Sequence, residues 1–270
     1  MATVKDTISI LKRLAPEEHA YNKEYDNVGL LFGDDNARID KVLICLDTTD
    51  SVIDEAIKLK CNLIISHHPF IYMPLKRVNA EDLIGRKILK AAKHGINIYS
   101  SHTNLDFVKD GINDFLAVKL GLKFIKPLEP YISSDEGFGR IGELPNRVSA
   151  QEIKKNISVL LNDNFVRIVG STSTQIKKVA IINGGGGGDT KYIDMALGLK
   201  ADCLITADVK HHVAVYAREL NFPLIECQHY TMEHAYLARL IQLLKLELKA
   251  AKYDIELLQS QEDKNPRSFG

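Results

Sequence analysis

Three short apolar runs constrain this chain most: Val42-Leu43-Ile44-Cys45-Leu46, Asn62-Leu63-Ile64-Ile65-Ser66 and Ile96-Asn97-Ile98-Tyr99-Ser100. Each is too short for a buried helix and reads as a buried strand. Asp50 to Lys60 and residues 82–94 lie between them and read as helices. Strand, helix, strand, helix, strand implies right-handed crossovers and a largely parallel sheet. The pattern then recurs. Strands are expected at Val179–Ile182, Asp202–Thr206 and Pro223–Cys227, with helices at Thr190–Leu199 and Val213–Leu220. Lys60-Cys61-Asn62-Leu63-Ile64-Ile65-Ser66 lines up with Lys200-Ala201-Asp202-Cys203-Leu204-Ile205-Thr206. The chain therefore reads as α/β with two similar halves. Residues 4–14 and Tyr230–Leu248 read as amphipathic helices, 127–149 as short strands or a crossover, and 254–270 as a short strand and a polar tail.

Lys+Arg and Asp+Glu both number 35, so no net field draws the chain to nucleic acid or to a membrane surface. No apolar run approaches the roughly 20 residues of a membrane span. The N-terminal residues lack the charged-then-apolar pattern of a signal peptide. The four cysteines have no CxxC spacing and sit in or beside apolar runs, which fits reduced core thiols. A cytoplasmic location follows as the expectation.

The chemistry lies in the histidines. His67 and His68, His102, His211 and His212, and His229 follow expected strands or open the next helix. Ligands of open α/β sheets collect outside the carboxyl ends of the strands. His102-x-x-x-Asp106 and His229-x-x-x-Glu233 repeat one spacing, and residues four apart share a helix face. Imidazole suits Zn or Fe, and carboxylate also accepts Mn. His67, His68, Asp106, His229 and Glu233 are too many for one catalytic zinc and suit two divalent ions roughly 3.5–4 Å apart. Asp106 reads alternatively as a helix cap. His67 and His68 face opposite ways if their strand continues, and share a site if it turns at Pro69. His102, Asn104, Asp208, His211 and His212 are candidates for orienting ligands or touching substrate. His102 reads equally as a turn histidine, and His211-His212 as a solvated helix start. Gly184, Gly185, Gly186, Gly187 and Gly188 read either as a flexible turn or as an anion cradle before a helix. Neither nucleotide fingerprint is completed there.

Asp26-Asn27-Val28-Gly29-Leu30, Ser66-His67-His68-Pro69, Ser101-His102-Thr103-Asn104-Leu105-Asp106, Asp202 to Asp208 with His211-His212, and His229-Tyr230-Thr231-Met232-Glu233 occur here in that order. In this the chain resembles the Nif-three-like family of dinuclear-metal proteins, the GTP cyclohydrolase I type 2 homologues. The resemblance implies two similar α/β domains with mixed, largely parallel sheets. It puts the first domain at 1–125 plus 226–270, carrying most metal ligands, and the second at 126–225. It also implies a homohexameric ring and metal ligands at His67, His68, Asp106, His229 and Glu233. Tyr25, Ala207 and Cys227-Gln228 depart from common family residues and touch no ligand.

The function expected is a metal-dependent hydrolase in which activated water attacks a nucleotide or related small molecule. The alternative is a non-catalytic metal-binding ring acting as a regulatory or interaction module.

Overall fold

The computed structural model describes residues 2–21, 25–131, 133 and 135–267. The chain divides into two compact units, Met1–Leu105 with Leu237–Gly270, and Asp106–Tyr236.

In the first unit the five-stranded sheet runs Glu256–Gln259, Lys41–Cys45, Leu63–Ser66, Asn97–Ser100, Gly29–Phe32. The first four strands are parallel and the last is antiparallel. Helices Asp50–Leu59 and Leu83–Lys93 make the crossovers. Leu43, Cys45, Val52, Ile53, Ala56, Ile64, Ile88 and Ile98 form its core. Helix Val4–Leu14 starts on a reciprocal capping box, Thr3 with Asp6, which satisfies two otherwise unpaired amides.

In the second unit the sheet runs Lys123–Pro130, Gly137–Ser149, Gln175–Ile181, Cys203–Ala207, Leu224–Cys227, Arg167–Val169. Its three-strand centre is parallel and its other pairings are antiparallel. The turn-rich stretch 127–149 thus belongs to a hairpin rather than a crossover. Helices Ile112–Lys119 and Ala150–Leu161 were not expected from the sequence.

The aligned segments build the same joint in each unit. Lys60 (φ 59°) and Lys200 (φ 61°) both end a helix in the left-handed region. The side chain of Asn62 then accepts from the amides of Asp40 and Lys41, and that of Asp202 from those of Lys177 and Lys178. In each unit the parallel pairing begins one residue further on, at Val42 with Leu63 and at Val179 with Cys203, so the side chain sets the register that decides which residues emerge at the carboxyl end.

The expected polar tail is anchored instead. Backbone amides of Gln261 and Glu262 donate to Glu55, and Leu46 N–H donates to buried Asp263. The Glu55 carboxylate and the Leu46 N–H, both in the body of the unit, give this polar segment a fixed place. All four cysteines are buried and free, and burial raises each thiol pKa, Cys61 to about 11. Among the described residues no helix is long and apolar enough to cross a membrane.

Candidate metal centre

In the first unit His67 and His68 leave the end of strand Leu63–Ser66. Their amides continue the pairing onto the carbonyls of Cys45 and Leu46. The chain then turns. The Ser66 and Ser100 hydroxyls, 2.8 Å apart, both bond the His68 carbonyl. This turn lets two adjacent side chains face one site. Their ring centroids lie 5.1 Å apart, and His102 sits 5.3 Å from His67 and 5.8 Å from His68. A ligand atom from each of the three lies within 4.8 Å of the others.

Every ring is held by its Nδ1. His67 Nδ1 meets the Ser101 carbonyl at 2.9 Å, His68 Nδ1 meets Asp47 at 2.9 Å, and His102 Nδ1 meets Asp26 at 2.6 Å. Carbonyls and carboxylates only accept, so each Nδ1 carries hydrogen and Nε2 is the nitrogen left to ligate. Burial pushes the Asp26 carboxyl up, but the bonds from His102 and Thr103 outweigh it and keep its pKa below the ordinary value. Asn104 is buried and donates to the Ala15 carbonyl and the Ser101 hydroxyl, so it fixes the backbone that holds His67.

The second unit holds Asp106, His229 and Glu233. His229 opens helix His229–Ala250, and Glu233 lies one turn on, with His229 Nε2 and Glu233 Oε2 3.0 Å apart. Asp208, just past strand Cys203–Ala207, meets His229 Nδ1 at 2.7 Å. Burial opposes charge on His229, but bonds to Asp208 and Glu233 prevail and raise its pKa to about 10. Asn183, two residues beyond strand Gln175–Ile181, donates to Asp106 at 2.8 Å and to Glu233 at 3.1 Å. Asp106 and Glu233 are both buried.

The five glycines form a 3₁₀ turn, Gly184–Gly188. Packing accounts for three of them. A Cβ on Gly184 would stand 2.5 Å from Glu233 Oε1, one on Gly186 2.3 Å from Ile182, and one on Gly187 2.3 Å from the Ala207 carbonyl. His211 and His212 are exposed at the start of helix His211–Glu219 and, among the described residues, belong to no candidate group of metal ligands.

The sequence pattern of the Duf34/NIF3 (NGG1p interacting factor 3) family matches residues 2–266. The chain belongs to that family. Among relatives of this DUF34/NIF3 member, a Clostridium acetobutylicum protein called GTP cyclohydrolase 1 type 2 homolog is 33% identical over 268 residues, 98% of each chain. The Clostridium perfringens protein of the same name is 34% identical and covers 98% of this chain and 99% of its own. A solved Staphylococcus aureus hypothetical protein superposes with a TM-score of 0.91 at 31% identity, over 99% of each chain. The fold is accordingly the NIF3-like one.

Asp47, Asn113 and Asn183 escaped the sequence reading. The signal that finds Asp47 and Asn183 is positional: each is a polar residue two places beyond a parallel strand's carboxyl end, as Asp208 is one place beyond.

Proposed function

We propose that this protein binds two divalent ions through His67, His68, Asp106, His229 and Glu233, joined by His102, and uses them as a hydrolase. The observation that carries this reading is the treatment of the imidazoles. All four are held at Nδ1 by a carboxylate or a carbonyl, the arrangement that fixes tautomer and ring direction in metal-ligating histidines. The donor set, imidazole and carboxylate without thiolate, fits Zn, Fe or Mn. Divalent ions held there supply Lewis acidity for activating water and polarising a substrate oxygen. The protein's own contribution is to aim the ligands: Asp26, Asp47 and Asp208 orient three rings, and Ser101 orients the fourth.

The name shared by the relatives directs the substrate search to purine nucleotides. Phosphoesters and amides suit the same site. Assembly as a homohexamer belongs to this reading through the family resemblance, and mass in solution tests it.

The experiment is metal analysis of protein purified with Mn, Fe or Zn, then turnover assays on GTP, phosphoesters and amides. Two ions per chain and a metal-dependent turnover are expected. His67→Ala and His229→Ala should each lose metal and activity together. Chains that stay metal-free refute the reading. Full loading without turnover on any class removes the hydrolase and leaves the metal-binding module.

A further inference from the structure

We infer that Asn183 is a positioning residue for the metal centre: its amide takes one oxygen of Asp106 and one of Glu233, and each carboxylate ligates through its other oxygen. This rests on the dinuclear reading above.

Asn183 stands at the N-cap of the glycine turn, where an asparagine side chain ordinarily caps the backbone. It makes no cap bond here. Its Nδ2 instead gives one hydrogen to Asp106 Oδ1 at 2.8 Å and the other to Glu233 Oε1 at 3.1 Å. Which end of the amide faces the acids is fixed from the backbone outward. The Asn183 N–H donates to Asn113 Oδ1 at 2.9 Å, which defines the oxygen of Asn113. Asn113 Nδ2 therefore faces the other way, donating to the Asp106 carbonyl at 3.2 Å and to Asn183 Oδ1 at 2.6 Å. Asn183 is left with its two hydrogens toward the carboxylates. A flip at either asparagine would set acceptor against acceptor.

Chemistry favours an amide at this point. Two buried carboxylates repel and need donors. A lysine or arginine would neutralise them and compete with the cations, and a serine has one hydrogen for two acids. A neutral NH₂ satisfies both and leaves the negative charge for the ions. The two oxygens of Glu233 are already distinguished. Oε1 faces Asn183 and the wall made by Gly184, while Oε2 lies 3.0 Å from His229 Nε2. Two ligand atoms at right angles on one octahedral ion, each about 2.1 Å from it, stand about 3 Å apart. The oxygen not taken by Asn183 is thus the one placed to share an ion with the imidazole.

The test compares the full-length wild type with Asn183→Leu, using Mn²⁺ as the probe. Mn²⁺ affinity is read by chelator competition, and carboxylate binding mode by the infrared separation of the two carboxylate stretches. Affinity in Asn183→Leu should fall by roughly ten- to hundredfold, as for other residues that orient ligands. The stretch separation should shift from the one-oxygen pattern toward chelation. Failure of wild type to bind Mn²⁺ overturns the dinuclear reading itself. Two ions in both proteins, with equal affinity and equal spectra, overturns the role of Asn183 and leaves the site standing. If Asn183→Leu does not fold, a Mn²⁺-loaded crystal structure of wild type decides. Asn183 on one oxygen of each acid is expected, and chelation by both oxygens of Asp106 or Glu233 overturns the inference.

Discussion

His229 donates through Nδ1 to Asp208 Oδ2 at 2.7 Å, and Asp208 makes that bond from a left-handed backbone, φ 51°. Asparagine tolerates this conformation nearly as well as aspartate. Asp208→Asn is therefore a clean removal of charge. It takes away the anion that holds the ring and raises its basicity. Metal affinity should drop by roughly ten- to hundredfold while the fold persists. Calorimetric titration with Zn²⁺ checks this, and an unchanged affinity would show that Asp208 does not orient the ligand.

The glycine turn gives a paired prediction. Gly184 has φ 60°, and a Cβ there would press on buried Glu233 Oε1. At Gly185 a Cβ meets nothing within 4 Å. Gly184→Ala should cost about 1–3 kcal/mol through backbone strain and a displaced carboxylate, and should weaken metal binding with it. Gly185→Ala should be near neutral in both. Melting and metal content of the two proteins, measured side by side, separate this account from one in which the whole turn must be glycine for an anion.

Why the sequence disclosed so much of this, and not all, follows from where each signal is stored. His67, His102, Asp208 and His229 sit one or two residues past strands whose apolar runs are unmistakable, so strand ends locate them. The joint at Lys60 and Lys200 repeats in residue type as well as in structure, which made the internal similarity readable. Asp47 and Asn183 have the same placement but lack a histidine's conspicuousness. Asn183 also looks like an ordinary Asn-Gly turn residue until its hydrogen bonds are known. Helix Ile112–Lys119 carries buried Asn113, whose polar side chain spoils the apolar stripe that would have announced the helix. The hairpin from Lys123 to Ser149 is masked by its prolines and glycines, which read locally as turns.

Arg140 is the largest fully buried side chain among the described residues, and its guanidinium is fully engaged. It pairs with Asp114 and donates to the carbonyls of Gly137, Gly139, Phe107 and Val108. Arg140→Met would leave a carboxylate and four carbonyls without that donor in a low-dielectric setting. The expected loss is about 3–5 kcal/mol, seen as a lower urea midpoint. Adding Asp114→Leu should recover part of it, because the stranded charge leaves with the second change. A double variant no better than Arg140→Met alone would show that the carbonyl bonds, not the ion pair, carry the effect.

Asp263 makes the stability of the first unit depend on pH. Burial pushes its carboxyl up, the Leu46 N–H pulls it back, and the charge of Asp47 leaves it at about 6, against 3.8 when exposed. The folded state therefore binds this proton more tightly than the unfolded state does. Above pH 6 both states are ionised and folding bears the cost of the buried charge. As pH falls from 6 toward 3.8 the folded carboxyl takes up its proton and that cost fades. Asp263→Asn can keep an oxygen on the Leu46 N–H and removes the charge. It should stabilise the protein by about 1–2 kcal/mol at pH 8, a few degrees in Tm, and the gain should vanish near pH 4. Calorimetric scans of both proteins across that range decide. A gap that stays constant with pH would mean Asp263 acts through packing rather than through its charge.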